Sequence, residues 1–217
     1  MATSTEENYL KVILHLEDRK GAATVGEIAT ELELTSGSVT TMMHALSDKG
    51  LIDYTPRRGL KLQPRGRLAA LRVVRRHRLI ELFLVDVMKF DWSEVHDEAE
   101  DLEHVISDRL LDRMDEMLGR PTHDPHGDPI PDKNGEVAVD VSFPLAEAGE
   151  GHYRVVRVSD GDSSILEWLN EKEMKIGGEF ELNRKDRAAG ILEIRRKSGE
   201  TLQVGLELAR QMFVEEV

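Results

Sequence analysis

The sequence predicts a mainly α protein with a small β component. It orders an N-terminal winged helix-turn-helix, a helical middle segment and a compact β-rich C-terminal domain. Three observations predict this. Apolar residues recur at helical spacing over the first half of the chain. A short basic hairpin follows the third helical segment, the order expected of a wing. From about residue 152 the pattern changes to alternation between turn residues, as in a small barrel.

Each element has a local reason. Over 4–19, Tyr9, Leu10, Ile13, Leu14 and Leu16 recur at helical spacing, Ser4 or Thr5 can cap the start, and Gly21 ends the helix. Val25, Ile28, Ala29 and Leu32 define a short second helix. Glu33-Leu34-Thr35 connects it to a third over about 36–49, with Val39, Met42, Met43 and Leu46 inward and Gly50 as the stop. Residues 51–55 and 60–62 then pair as a hairpin around Pro56-Arg57-Arg58-Gly59. Pro64-Arg65-Gly66 opens a long helix to about Lys89. Phe90-Asp91-Trp92-Ser93 breaks it, and Ser93 is the expected N-cap of another long helix over 94–118. Five of the seven prolines fall within 121–149, which reads as loop or linker. A strand over 152–158, a short helix over 163–171 and strands at 179–182, 191–194 and 201–204 complete the chain. The expected boundaries are 1–63, 64–140, a linker at 141–149, and 150–217.

The 217 residues include 40% hydrophobic and 33% charged, enough to build a core and exclude wholesale disorder. The chain has no Cys, which excludes disulfides, thiolate catalysis and Cys-type zinc sites. Any metal must use His, carboxylate, amide or water ligands. No apolar run reaches the roughly 18–20 residues that span a bilayer. The polar, acidic start, Met1 to Glu7, is no signal peptide, so a cytoplasmic location is expected.

The net charge of -13 argues against nucleic acid, but its distribution reverses that. Residues 1–80 carry 13 Lys/Arg against 9 Asp/Glu, whereas the remainder is strongly acidic. Such asymmetry points to a nucleic-acid-facing segment on an acidic body. An α-helix fits the major groove, and its first residues approach the base edges. Here those residues are Thr35, Ser36, Gly37, Ser38, Thr40 and Thr41, small side chains that let the helix sit deep. Arg57 and Arg58 at the hairpin tip, with Lys61, would meet phosphates or the minor groove. The bland reading of the Ser/Thr run is a helix cap alone.

The middle segment is dense in hard ligands. His77 and Glu81 are one helical turn apart, and His96, Glu100, Glu103 and His104 would share one stripe of the 94–118 helix. Imidazole with carboxylate suits Mn2+, Fe2+, Co2+, Ni2+ or Zn2+. For any single pair, a solvated charged face is the simpler reading. Six residues on two core-forming helices favour a metal.

His77-Arg78-Leu79-Ile80-Glu81, Val95-His96-Asp97-Glu98-Ala99-Glu100 and Glu103-His104-Val105-Ile106-Ser107 resemble the diphtheria toxin repressor family of metal-dependent regulators, which includes the manganese transport regulators. Glu6-Glu7-Asn8-Tyr9-Leu10 and Gly127-Asp128-Pro129-Ile130-Pro131 resemble it too. The resemblance spans essentially the whole chain and is strongest over about 3–132. It implies a winged-helix DNA-binding domain, a helical dimerisation domain and an SH3-like third domain, with a divalent metal as corepressor. It also implies an ancillary site at His77, Glu81 and His96, and a primary site at Glu100, Glu103 and His104 completed by Asn8. Asn8 departs from the family's Met or Asp at its position. Lys11 stands where the manganese regulators have a ligating Glu. The all-N/O primary set tilts the expectation towards Mn2+ over Fe2+. A second cluster, His123, Asp124, His126 and Asp128, falls in the proline-broken loop, where the matching family segment is structural.

The expected protein is therefore a homodimeric repressor on double-stranded operator DNA, and no enzyme. Without metal, the clustered Glu81, Glu100 and Glu103 are expected to repel and favour an open form. The alternative is a winged-helix regulator sensing a small organic ligand.

Overall fold

The computed structural model describes residues 3–55, 59–159, 161 and 163–217. Its helices are α1 (Ser4–Lys20), α2 (Val25–Glu31), α3 (Ser36–Asp48), α4 (Pro64–Asp86), α5 (Val95–Leu102), α6 (Asp108–Met117), α7 (Ser163–Glu171) and α8 (Leu206–Gln211). Its strands are β1 (Ile52–Thr55), β2 (Gly59–Leu62), β3 (Phe143–Pro144), β4 (Gly151–Val158), β5 (Glu179–Asp186), β6 (Ile191–Arg196), β7 (Thr201–Gly205) and β8 (Met212–Glu216). The chain separates into two units. The first holds residues 1–77, 100–113 and 131–137, and the second the remainder.

In the first unit, α1 is capped by Thr3, not by Ser4 or Thr5. The Thr3 hydroxyl accepts from Glu6 N while the Glu6 carboxylate accepts from Thr3 N, a reciprocal pair that neither later residue makes. Thr24 and Glu27 repeat the device at α2. The helices α1, α2 and α3 bury Leu10, Ile13, Leu14, Ile28, Val39, Met43 and Leu46 together with Leu60 of the hairpin. β1 and β2 are antiparallel, from Ile52↔Leu62 to Thr55↔Gly59, and Ala23 bridges to Leu60. This is the winged helix-turn-helix that the sequence predicts. The hairpin tip with Arg57 and Arg58 lies outside the described residues. Gly66 opens α4 against the backbone of Leu51, where a Cβ would stand 2.0 Å from the carbonyl oxygen.

The expected helix over 94–118 is two helices. The carbonyl of Leu102 accepts from both Val105 N and Ile106 N at 3.1 Å, closing α5 in a turn. The Ser107 hydroxyl then accepts from Leu110 N, and Asp108 sits in the first turn of α6, both of which favour a new start. Glu103 and His104 therefore occupy a turn, and the four-residue helical stripe is not formed. Ser93 is no simple cap either. Its hydroxyl and its N both donate to Asp91 Oδ1, and Asn170 Nδ2 of α7 donates to the same carboxylate.

The second unit contains one antiparallel sheet in the order β3-β8-β4-β5-β6-β7. Tyr153, Val155, Leu166, Phe180, Leu192, Ile194 and Val214 fill its core. β3, α8 and β8 are additions to the expected elements. α8 has only six residues, too few to reveal a helical period in sequence.

Candidate metal centre

The first cluster forms inside the first unit around Glu103. Its side chain is fully buried, with Lys11, His77 and His104 within reach of its two oxygens. Glu103 Oε2 lies 2.7 Å from His77 Nδ1, and Oε1 lies 2.7 Å from Lys11 Nζ and 3.2 Å from His104 Nε2. Glu100 Oε1 lies 2.5 Å from the same Lys11 Nζ. Burial alone would raise the Glu103 pKa, but the His77 hydrogen bond and the Lys11 charge outweigh it and hold the carboxyl below its ordinary range. His104 joins α1 to this group: Nε2 donates to Asn8 Oδ1, and Nδ1 lies 2.9 Å from Glu7 Oε2. Asn8, His77, Glu100, Glu103 and His104 thus converge, with Glu7 and Lys11 as neighbours that spacing did not select. Glu100 and Glu103 do not simply repel. The Lys11 ammonium lies against both carboxylates, which corrects the expectation that they repel and favour an open form.

The second cluster forms inside the second unit. Glu81 of α4 is fully buried, with His96 Nδ1 at 3.6 Å from Oε1 and His126 Nδ1 at 4.0 Å from Oε2. Asp124 belongs to it, and one donor atom from each of Glu81, Asp124 and His126 fits within a mutual 4.8 Å. His126 is fully buried, donates through Nε2 to Trp92 O at 2.8 Å, and has no hydrogen-bond partner at Nδ1. Burial, then the charges of Asp128 and Glu81, push the Asp124 carboxyl well above its ordinary range. Arg78 opposes this from 3.4 Å. Two buried carboxylates beside an orphaned imidazole nitrogen form a donor set suited to a hard or borderline divalent cation. The sequence signal for Asp124 and His126 was present in the His123–Asp128 cluster. His123 itself is exposed and bonds Thr122, and Asp128 pairs with Arg78, so half of that cluster is structural.

The DNA-facing candidates cluster at the start of α3. Thr35 is its N-cap, and Ser36, Gly37, Ser38 and Thr41 are exposed. Thr40 and Thr41 donate their hydroxyls to Ser36 O and Gly37 O. They therefore present lone pairs and methyl groups outward, which suits thymine contacts and water bridges more than direct donation. Exposed His44 lies on α3 in edge contact with Tyr54 of β1, an outward polar group outside the Ser/Thr run that the sequence singles out.

A cavity of about 1060 Å3 in the first unit is lined by charged residues, among them Glu6, Glu7, Lys49, Arg65, Arg72 and Arg76. Such walls do not suit an apolar organic effector. No helix among the described residues is long and apolar enough to cross a membrane.

A winged helix followed by buried imidazole–carboxylate clusters and a small β domain defines a class: metal-dependent DNA-binding regulators. Residues 1–60 match the iron dependent repressor N-terminal DNA binding domain, residues 63–132 the iron dependent repressor metal binding and dimerisation domain, and residues 143–216 the FeoA domain. The diphtheria toxin repressor of Corynebacterium glutamicum is 30% identical over 98% of this chain and 96% of its own length. The iron-dependent repressor IdeR of Mycobacterium bovis is 32% identical over 93% of this chain and 86% of its own. A solved manganese-dependent transcriptional repressor in complex with manganese superposes with a TM-score of 0.91 at 33% identity, covering 98% of this chain and all of that one. The chain belongs to the diphtheria toxin repressor family of metal-dependent transcriptional repressors.

Proposed function

We propose that this protein is a cytoplasmic, homodimeric repressor that binds double-stranded operator DNA when Mn2+ or Fe2+ is bound as corepressor, and that it is no enzyme. The observation that carries the reading is the buried Glu103, which joins His77 and His104 to Asn8 and Lys11 of α1, the first helix of the DNA-reading domain. Bound there, a divalent cation supplies the positive charge that holds these donors together.

The chain's own residues do the rest. Asn8, Glu100, Glu103 and His104 are the ligands of the first centre, with His77 orienting Glu103. Glu81 and His96 belong to the second, which Asp124 and His126 extend. The family resemblance adds His77, one turn before Glu81 on α4. The all-N/O donors favour Mn2+ over softer ions. With α1 tied to the turn after α5, the start of α3 is held in one orientation, which lowers the ordering cost on DNA. Thr35, Ser36, Gly37, Ser38, Thr40 and Thr41 then face the major groove, and Arg57 and Arg58 the phosphates. Val105 and Leu110 are 74% and 54% exposed, apolar surface that suits a second copy. The domain boundaries follow as 1–63, 64–140 and 150–217.

The test is fluorescence anisotropy on the DNA upstream of the coding sequence, in chelator and with Mn2+, anaerobic Fe2+ and Zn2+ at fixed salt. Binding that needs metal supports the reading. Equal binding in chelator overturns it.

A further inference from the structure

Helix α1 lends the first centre a residue that is no metal ligand. Lys11 is 8% exposed, and its Nζ lies 2.5 Å from Glu100 Oε1 and 2.7 Å from Glu103 Oε1. A buried carboxylate such as Glu103 needs a counter-charge, and the ammonium provides it. Lys11 Nζ is thus the common neighbour of those two oxygens. A divalent cation shared by Glu100 and Glu103 competes for them.

We propose that Lys11 is a resident counter-cation that competes with the divalent metal for Glu100 and Glu103 and so sets the metal concentration at which the first centre fills. The inference rests on the metal reading above. Its physics has two parts. When metal enters, the ammonium either leaves at least one carboxylate or stays within a few ångströms of a divalent charge, and both lower metal affinity. When metal is absent, the ammonium is the counter-charge that Glu100 and Glu103 retain, so the empty centre is not left with two unpaired carboxylates. Lys11 thus exchanges occupancy with the metal at the same oxygens. Because the competition is one of charge, it acts on every divalent ion by a similar factor and tunes threshold rather than selectivity.

The experiment compares wild type, Lys11→Met, Lys11→Gln and Lys11→Arg in the full chain. Mn2+ and Zn2+ affinities are measured by stripping the loaded protein with a competing chelating dye, and the step that Glu103→Gln removes is assigned to this centre. Thermal melting in chelator is recorded in parallel. The expected result is affinity tighter by about tenfold or more in the Met and Gln variants, by a similar factor for both ions. Lys11→Arg should stay near wild type. Melting in chelator should fall for Met and Gln and recover when Mn2+ is added. Starting from loaded protein keeps the test valid if a variant fails to fold in chelator. Unchanged or weaker affinity in both neutral variants overturns the proposal and leaves Lys11 a structural ion pair. A wild type with no Mn2+ step at all defeats the metal reading itself, a distinct outcome.

Discussion

His104 Nδ1 and Glu7 Oε2 lie 2.9 Å apart, joining residues separated by 97 positions, and Arg76 donates to the same oxygen at 2.7 Å. Glu7 thereby fixes the plane of an imidazole whose other nitrogen faces Asn8 and Glu103. His104→Ala should abolish Mn2+-dependent operator binding while the chain stays folded. Glu7→Gln keeps the ring but loses the charged acceptor and should weaken the Mn2+ response roughly tenfold, a loss typical of groups that orient ligands. Anisotropy across a Mn2+ titration, with circular dichroism as a folding control, measures both. A normal Mn2+ response in His104→Ala would remove it from the ligand set.

The two clusters should fill independently. Wild type is expected to retain two Mn2+ per chain after equilibrium dialysis, Glu103→Gln one, and Glu81→Gln one. Elemental analysis reads this directly. Two ions retained by Glu81→Gln would show that the buried Glu81–Asp124–His126 group is not a site.

Gly66 has no room for a side chain, because Leu51 O would stand 2.0 Å from its Cβ. Gly66→Ala must shift either the start of α4 or the chain entering β1. A loss of about 2–3 kcal/mol is expected, as for overpacked sites. Urea unfolding followed at the first unit checks it; a loss under about 0.5 kcal/mol would be the range of ordinary surface changes.

Asp91 gives a pH-dependent contact. The Ser93 hydroxyl, then the Ser93 N and Asn170 side chain, hold its carboxyl below the ordinary range in spite of some burial. A depressed carboxylate stabilises fully above its unfolded pKa and loses that contribution as pH falls through its folded one. The melting difference between wild type and Asp91→Asn should therefore be constant near neutrality and shrink below the ordinary aspartate value of 3.8. A difference that grows on acidification would reverse the sign.

The winged helix was legible because its signals are local. Periodic Leu and Ile positions, the Gly21 stop and the short alternating runs of the two hairpin strands each act within a few residues. The break after Leu102 was not, since Val95, Leu102, Ile106 and Leu110 read as one helical face, while the turn depends on Leu102 O and the Ser107 hydroxyl. The site divides in the same way. His77, Glu81, His96, Glu100, Glu103 and His104 announce themselves by type and spacing. Lys11 meets Glu100 and Glu103 from 89 and 92 positions away, a pairing that no local spacing encodes. Asp124 and His126 were visible as residues, but their meeting with Glu81 is a product of packing.

Gly127, at φ +88°, brings the loop after His126 so close to β4 that a Cβ would stand 2.0 Å from Val156 O, and Val158 N donates to His126 O at 2.9 Å. The β-sheet is therefore the back wall of the second cluster. A chain trimmed before β3 would keep Glu81, His96, Asp124 and His126 in its sequence yet lose the surface that holds the last two in place. The C-terminal domain is accordingly scaffolding for a cluster whose residues all precede it.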